Sequence, residues 1–199
     1  MRYLINKANR FLNVLNSNFE LKDYVGKTNI NLGCGNKPLD GFVNVDYYNK
    51  EHAQISFDLN CEWPFEDESV DLIYSDNVFE HLPDTLSIMK KCYRCLRPGS
   101  HLIVKVPYFK SKHAFVDPTH VKFFTIQSMD YFVNGTYFNA QYRFFDESFA
   151  TVAVFLDPSS QSIIWRLLKT YAILKPNSFE NNILSNFFVF HNIIFVMKK

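Results

Sequence analysis

Two different hydrophobic periods divide the chain. Over residues 1–25, apolar residues recur at the spacing of one helical face. The residues that make this face are Leu4, Ile5, Ala8, Phe11, Leu12 and Leu15. Gly26 follows, and glycine commonly ends a helix. We therefore expect an N-terminal helix over residues 1–26.

From residue 28 onward, short apolar runs replace the helical spacing. Such runs, bounded by glycine, proline and polar residues, are typical of buried strands. The predicted strands and short extended segments are 28–32, 42–46, 55–58, 70–75, 100–106, 149–156 and 192–198. The predicted helices are 84–96, capped by Asp84, 125–135, beginning at Thr125, and 165–174. Strands that alternate with helices indicate an α/β fold with an open parallel sheet.

Composition and charge narrow the class of protein. The 199 residues show no repeat and no linker, which is typical of a single domain over 1–199. The net charge is +1 with acids and bases mixed, so we expect no nucleic-acid partner. We also expect no transmembrane segment and no signal peptide, and hence a cytoplasmic protein. Cys92 and Cys95 lie one helical turn apart and are expected in the core rather than at a metal.

The strongest local motif is the end of the first predicted strand. Asn31 and Leu32 lead into Gly33-Cys34-Gly35, and Asp46 stands at the end of the next strand. Glycines there allow a sharp turn and close approach of a ligand, while the acid can accept hydrogen bonds from a ribose. A dinucleotide fingerprint fits less well, because Pro38 takes the third glycine position and Asp46 follows Gly35 by only 11 residues.

With these motifs the chain resembles the class I S-adenosylmethionine-dependent methyltransferases. Further matching segments lie at 58–59, 63–73, 75–82 and 96–100, so the resemblance covers residues 28–107. It implies a Rossmann-like, seven-stranded, mostly parallel sheet with helices on both faces and an antiparallel final pair of strands. It also implies a cofactor-binding half at 27–107 and an acceptor-side half at 108–199, with S-adenosylmethionine as the cofactor.

The resemblance also assigns cofactor contacts residue by residue. It implies that Gly33, Cys34 and Gly35 lie against the methionine part of the cofactor. Asn31 stands where the family usually has an acid, so an amide would face the methionine ammonium. The remaining implied contacts are the ribose with Asp46, the adenine with Asp58 and Leu59, and the cofactor with Asn77.

A subgroup of small bacterial methyltransferases, often associated with cell-surface polysaccharide synthesis, is similar in more detail. Its members share a G-C-G-N-K-P…G-F-V-N-V-D start and a D-P-T-H stretch, which stand here at 33–38, 41–46 and 117–120. This resemblance suggests a glycan or another small molecule as the acceptor. A homo-oligomer is left open.

The segment after the strand at 100–106 holds the candidate catalytic residues. A hydroxyl acceptor needs a general base near the working pH, and histidine is the usual choice. We expect His120 to be that base, with Asp117 orienting it and His113 nearby. Three alternatives stay open: a structural turn at Asp117, a metal site formed by these three residues, or a role for His81.

Two other functions also remain open. One is a non-catalytic cofactor-binding or assembly module in glycan synthesis. The other is a nucleotide-sugar or NAD enzyme, which would bind its own ligand at the glycine loop.

Overall fold

The structure is a computed structural model, and it describes residues 19–144, 146–158 and 162–199. Most of the predicted helix over 1–26 therefore lies outside the described residues. Within the described part of that stretch, Leu21–Tyr24 forms a short 3₁₀ helix.

Six strands form one mixed sheet in the described chain. They are β1 Asn29–Leu32, β2 Val43–Val45, β3 Val70–Asp76, β4 Leu96–Pro107, β5 Ala150–Pro158 and β6 Phe190–Lys198. Their order across the sheet is β2-β1-β3-β4-β6-β5. The three pairings among β1 to β4 are parallel, whereas β6 runs antiparallel to both β4 and β5. The α/β class and the antiparallel final pair are thus confirmed.

A seventh strand is not found among the described residues, and the sheet is mixed rather than shown to be mostly parallel. The predicted extended segment 55–58 contributes only one bridge, between Val45 and Ile55. The side chain of Gln54 accepts a hydrogen bond from Asn44 N at 2.6 Å. That contact uses the backbone donor with which a further strand would have paired, so the ladder stops there.

The described residues also form five α-helices: α1 Thr85–Cys95, α2 Tyr137–Tyr142, α3 Ile163–Leu174, α4 Pro176–Glu180 and α5 Leu184–Phe187. The predictions for α1 and α3 are confirmed. Asp84 caps α1 as predicted, its carboxylate accepting from Ser87 N at 3.0 Å. The sequence did not predict α2, α4 and α5.

The predicted helix over 125–135 is wrong. The chain instead forms a 3₁₀ helix over Ser128–Phe132. Ile126 N donates to the Glu180 carboxylate at 2.9 Å, so a backbone N–H at the start of the predicted helix is used in a tertiary contact. Local propensity yields here to packing against a distant element.

Alternate strand residues build two apolar layers, one on each face of the sheet. One layer includes Ile73 and Leu102 and is covered by side chains of α1, α3 and α4. The other includes Leu72 and Ile103 and is covered by residues 19–24 and Leu39. Among the described residues, therefore, α-helices cover only one face of the sheet. The prediction of helices on both faces is met on that face alone.

In the part of the chain that the structure describes, no helix is both long and apolar enough to cross a bilayer.

Candidate functional site

The glycine loop joins β1 to β2 without a helix, at the carboxyl end of β1. Gly33 and Gly35 have φ of +65° and +51°, a region that favours glycine. A Cβ on Gly33 would lie 2.4 Å from Cγ2 of Val78, so the loop packs directly on the segment that follows β3. Between the glycines, burial raises the pKa of the Cys34 thiol, and the Asp46 charge adds to this.

Asp46 is held rigidly at the end of β2. One carboxylate oxygen accepts from Gly35 N at 2.8 Å, and the other accepts from Tyr48 N at 2.8 Å and Asn49 N at 2.7 Å. The carboxylate is half-buried, and each oxygen can accept more than one hydrogen bond. Its backbone contacts therefore fix the carboxylate at the rim of the glycine loop and leave it capacity for a ligand hydroxyl.

Asn31 is buried beneath the loop. Its amide nitrogen donates to Asn44 Oδ1 at 2.8 Å and to Lys37 O at 3.3 Å. These two protein acceptors use both amide hydrogens. The structure thus gives Asn31 a role in holding the loop, and its contact with a methionine ammonium stays a prediction.

The segment predicted to contact the adenine, Asp58 and Leu59, is held in place by hydrogen bonds and by core packing. Asp58 Oδ1 accepts two hydrogen bonds from Asn60, both at 2.9 Å, and the Leu59 side chain belongs to the core. The buried Lys91 donates to the carbonyls of Leu59, Asn60 and Cys61 at 3.1, 2.9 and 2.6 Å. Sequence reasoning missed Lys91, although a charged residue on the apolar face of α1 is a signal that could have identified it.

Asn77 turns the chain after β3. It has φ of +57° and is exposed, and its N–H donates to Lys105 O at 2.9 Å. Asparagine tolerates this left-handed conformation better than most residues. The turn leads directly to Val78, which touches the glycine loop.

A polar cluster follows in the 3₁₀ helix Phe79–His81. The rings of His81 and His120 pack with their centroids 4.7 Å apart, and His120 Nε2 lies 3.9 Å from Glu80 Oε1. The Glu80 carbonyl accepts from Val121 N at 2.8 Å and Lys122 N at 3.1 Å, which ties the segment carrying His120 to this helix. Two predicted candidates, His120 and His81, thus meet at one place.

Asp117 reaches the same cluster through a hydroxyl. Thr119 Oγ1 donates to Asp117 Oδ1 at 2.7 Å and lies 2.9 Å from His81 Nδ1. The hydrogen bonds from the side chain and the backbone of Thr119 lower the pKa of Asp117. Asp117 therefore orients His81 through Thr119, whereas the sequence predicted that it orients His120.

Glu80 is a site residue that the sequence analysis did not name. It is 1% exposed, and neither carboxylate oxygen accepts a hydrogen bond from the described residues. Burial raises its pKa to about 7 against the opposing effect of its own backbone N–H, and the charges of Asp76 and Asp117 act in the same direction as burial. Burial also lowers the pKa of His81, with the neighbouring His120 contributing.

His113 does not join this cluster. It is exposed, and its ring lies against His191 with centroids 5.7 Å apart. His113 lies within the short 3₁₀ helix Lys112–Ala114, whereas His120 lies beyond it. Tyr108 is fully buried, and its hydroxyl donates to Glu180 at 3.3 Å, so it supports the fold.

An open groove of about 670 Å³ lies at the opposite edge of the sheet, near the amino ends of β1 and β3. Asp71, Arg97 and His101 are among its lining residues. Ligands of open α/β sheets bind outside the carboxyl ends of the strands. We therefore place the candidate site at the edge that carries the glycine loop, Asp46 and the Glu80 cluster.

Comparison with known proteins finds similar proteins among the methyltransferases. Residues 42–104 match the model of a family described as a methyltransferase domain. A probable S-adenosylmethionine-dependent methyltransferase of Mycolicibacterium smegmatis is 41% identical over 47 residues. That stretch covers 24% of this chain and 18% of the relative, so the chain spans less than a fifth of the length of that protein.

Two solved structures are similar over almost the whole chain. An S-adenosylmethionine-dependent methyltransferase from Mesorhizobium loti has a TM-score of 0.54 at 14% identity and covers 90% of this chain and 95% of its own. A second, from Archaeoglobus fulgidus, has a TM-score of 0.53 at 14% identity, covering 100% and 95%. At these low identities, the likeness shows the fold. The described chain has the fold of these enzymes, and residues 42–104 match the methyltransferase domain family.

Proposed function

We propose that this protein transfers the methyl group of S-adenosylmethionine to a hydroxyl of a small-molecule acceptor, with a carbohydrate as the acceptor class. The observation that carries the proposal is the contact between Gly33 and Val78. It sets the predicted cofactor loop beside the segment that carries Glu80 and His81, so cofactor and acceptor sites share one edge of the sheet.

On the cofactor side, the assignments follow the order of the strands. Gly33, Cys34 and Gly35 present backbone to the methionine part, while Asp46 accepts hydrogen bonds from the ribose hydroxyls. Asp58 and the backbone at Leu59 lie toward the adenine, and Asn77 closes the turn beside the loop. The backbone hydrogen bonds that hold Asp46 support this assignment, because a fixed acceptor binds a diol with little loss of entropy.

On the acceptor side, His120 is our candidate for the group that removes the proton. Its Nδ1 lies 3.0 Å from Ala114 O, a carbonyl that can only accept, so Nδ1 carries hydrogen and Nε2 keeps a lone pair. The acceptor O–H loses its proton to this nitrogen as the oxygen attacks the methyl carbon. The carbon–sulfur bond breaks, its electron pair stays on sulfur, and the neutral product is S-adenosylhomocysteine.

A carbohydrate is supported by the rings beside this cluster. Phe115 and Phe123 stack with centroids 4.9 Å apart and are 64% and 49% exposed. They flank the segment that carries His120 and offer a flat apolar surface to the C–H face of a sugar. The resemblance to methyltransferases of polysaccharide synthesis suggests the same class. The four free thiols suit a reducing compartment, so we expect the protein to act in the cytoplasm.

Calorimetric titration with S-adenosylhomocysteine tests the cofactor site. We expect saturable binding that Asp46→Ala weakens more than tenfold, while Asp40→Ala, an exposed acid outside the site, leaves it unchanged. Absence of binding at millimolar ligand, or equal loss in both variants, would refute the cofactor site, and NAD and nucleotide sugars would be tested next.

Transfer is tested separately with radiolabelled S-adenosylmethionine and a panel of sugars and nucleotide sugars. His120→Ala should reduce methyl transfer strongly and leave cofactor affinity unchanged. Binding of the cofactor without transfer to any acceptor would favour a non-catalytic binding or assembly module instead.

A further inference from the structure

Glu80 is an unusual residue to bury without a partner. Its side chain is 1% exposed, and neither oxygen has a hydrogen-bond donor among the described residues. An unpaired carboxylate in a protein interior costs several kilocalories per mole unless something compensates its charge. Such an atom in a native fold therefore requires an explanation.

Two imidazoles lie at this carboxylate with defined tautomers. His120 donates from Nδ1 to Ala114 O at 3.0 Å, which leaves the lone pair on Nε2, the atom 3.9 Å from Glu80 Oε1. The single hydrogen of the Thr119 hydroxyl goes to Asp117, so Thr119 accepts from His81 Nδ1 at 2.9 Å. In each ring, therefore, Nδ1 donates its hydrogen to an oxygen and Nε2 carries a lone pair that can bind a metal.

This anchoring is the pattern found around metal sites. Histidines that bind metals usually donate their other N–H to a carbonyl or toward a carboxylate, which orients the ring. His120 does the former through Ala114, and His81 does the latter through Thr119 and Asp117. One ligand atom from each of Glu80, His81 and His120 lies within 4.8 Å of the other two.

The charges around the cluster also favour a cation. Asp76 and Asp117 both act on Glu80 with negative charge, and Asp76 Oδ1 is a further buried oxygen without a donor among the described residues. Lys105 neutralises Asp76 only in part, through Oδ2 at 3.1 Å. A divalent ion at Glu80 would balance these carboxylates in a way that the surrounding side chains do not.

We propose that Glu80, His81 and His120 bind a divalent transition-metal ion beside the cofactor site. The donor set of one carboxylate and two imidazoles suits Mn²⁺, Fe²⁺ or Zn²⁺ rather than Ca²⁺. Ligand atoms of one tetrahedral ion at about 2.1 Å stand roughly 3.4 Å apart. The 3.9 Å between His120 Nε2 and Glu80 Oε1 needs only a small side-chain rotation to reach this value.

The ion deepens the proposed function, and its catalytic role rests on that function. A metal at this position would bind the acceptor hydroxyl and lower its pKa, so that the proton leaves to water before the oxygen attacks the methyl group. His120 would then hold the ion through Nε2 instead of taking the proton itself. The requirement for an added metal separates these two roles.

The test uses Mn²⁺, because cysteine sulfur, such as that of the exposed Cys61, binds it weakly compared with Zn²⁺. Purified protein is dialysed against a chelator and then titrated with Mn²⁺, with free Mn²⁺ followed by electron paramagnetic resonance. We expect one saturable site, which Glu80→Gln and His120→Ala each weaken more than tenfold. His113→Ala is the matched control and should leave the affinity unchanged, because His113 lies outside the cluster.

S-adenosylhomocysteine affinity and the thermal midpoint are measured on the same samples to show that each variant is folded. Absence of Mn²⁺ binding at millimolar concentration, or equal binding by wild type, Glu80→Gln and His120→Ala, overturns the metal site. If cofactor binding persists in that case, the proposed methyl transfer stands with His120 as its base. Mn²⁺ binding without cofactor binding would refute the proposed function and leave the metal site intact.

Discussion

The two ends of β3 carry carboxylates in opposite surroundings. At the amino end, Asp71 Oδ2 accepts from Lys27 N at 2.9 Å and Thr28 N at 2.8 Å, and Oδ1 pairs with Arg97 at 2.7 Å. At the carboxyl end the pairing is incomplete, because Asp76 Oδ2 pairs with Lys105 at 3.1 Å while Oδ1 has no partner among the described residues. Among the described residues, every buried side-chain oxygen without a partner belongs to Ser75, Asp76 or Glu80.

This difference distinguishes carboxylates that stabilise the fold from carboxylates that are available to a ligand. A fully paired carboxylate stabilises the native state, whereas an unpaired one destabilises it until a ligand or ion arrives. The paired end ties β3 to the residues before β1 and to Arg97 in β4. The unpaired end faces the glycine loop, where an incoming ligand would complete the contacts. Substitutions at both edges of the sheet can test this division.

The largest effect is expected at Gly33. Gly33→Ala combines a φ of +65° with a Cβ placed 2.4 Å from Val78. We expect a loss of about 3 kcal/mol or more in unfolding free energy, from backbone strain plus overpacking. Urea unfolding measures it, and cofactor affinity should fall as well.

Gly41→Ala is the matched control for Gly33→Ala. Gly41 also has a positive φ, +77°, but a Cβ there would meet nothing within 4 Å. Only the strain of about 1–2 kcal/mol should appear. Equal losses at the two glycines would show that the contact between Gly33 and Val78 does not determine the loop position.

The next effect concerns the amide beneath the loop. Asn31→Asp introduces the acid that the methyltransferase family resembled by this sequence usually has, yet it faces two acceptors, Asn44 Oδ1 and Lys37 O. We expect a loss of about 2–3 kcal/mol, because the new carboxylate has no hydrogen for either acceptor and only Asn44 Oδ1 keeps another donor, Leu39 N. Circular dichroism during urea unfolding provides the measurement.

Asn36→Asp serves as the control for this change. Asn36 uses its side-chain oxygen, which accepts from Asn49 at 2.5 Å, and an aspartate keeps such an oxygen. Stability should change by no more than about 0.5 kcal/mol. A stable Asn31→Asp variant with tighter cofactor binding would instead favour the contact with the methionine ammonium that the resemblance implies.

A smaller effect is expected at the paired end of β3. Asp71→Asn removes the charge that pairs with Arg97 and one acceptor, for an expected loss of about 1–2 kcal/mol at pH 7. Hydrogen bonds from Thr28 N and contacts with Arg97 lower the pKa of Asp71 in the folded state. This stabilisation is therefore complete above the unfolded carboxyl pKa of about 3.9 and is lost as the pH falls through the lower folded pKa. The difference between wild type and variant should shrink below about pH 4, and a difference that persists to low pH would contradict this account.

The features that the sequence predicted correctly depend on neighbouring residues in the chain. The end of β1 at the glycine loop, the position of Asp46 after β2 and the Asp84 cap of α1 all follow from local patterns. The site cluster depends instead on packing between distant segments. Glu80 and His120 meet because the Glu80 carbonyl accepts from Val121 and Lys122. No spacing in the sequence shows that contact.

The same reason explains the misplaced residues. His113, Asp117 and His120 lie within eight residues, so proximity in the chain suggested one site. The 3₁₀ helix at 112–114 directs His113 toward His191, while the following turn carries Asp117 and His120 to the Glu80 side. The predicted seventh strand is not found among the described residues, because the side chain of Gln54 replaces a backbone partner.

The smallest stability effect is expected at Glu80, and its size relative to Asp71→Asn tests the comparison directly. Glu80→Gln removes a charge that has no donor among the described residues, and its new N–H groups can donate to His120 Nε2. We expect unfolding free energy to change by no more than about 0.5 kcal/mol in the presence of a chelator, or to rise. Methyl transfer should nevertheless be lost. Added Mn²⁺ should stabilise wild type and not the variant, because only an ion that binds the native state shifts the unfolding equilibrium. If Glu80→Gln instead costs as much as Asp71→Asn without metal, then Glu80 is a structural residue, and the two ends of β3 do not differ in the way we infer.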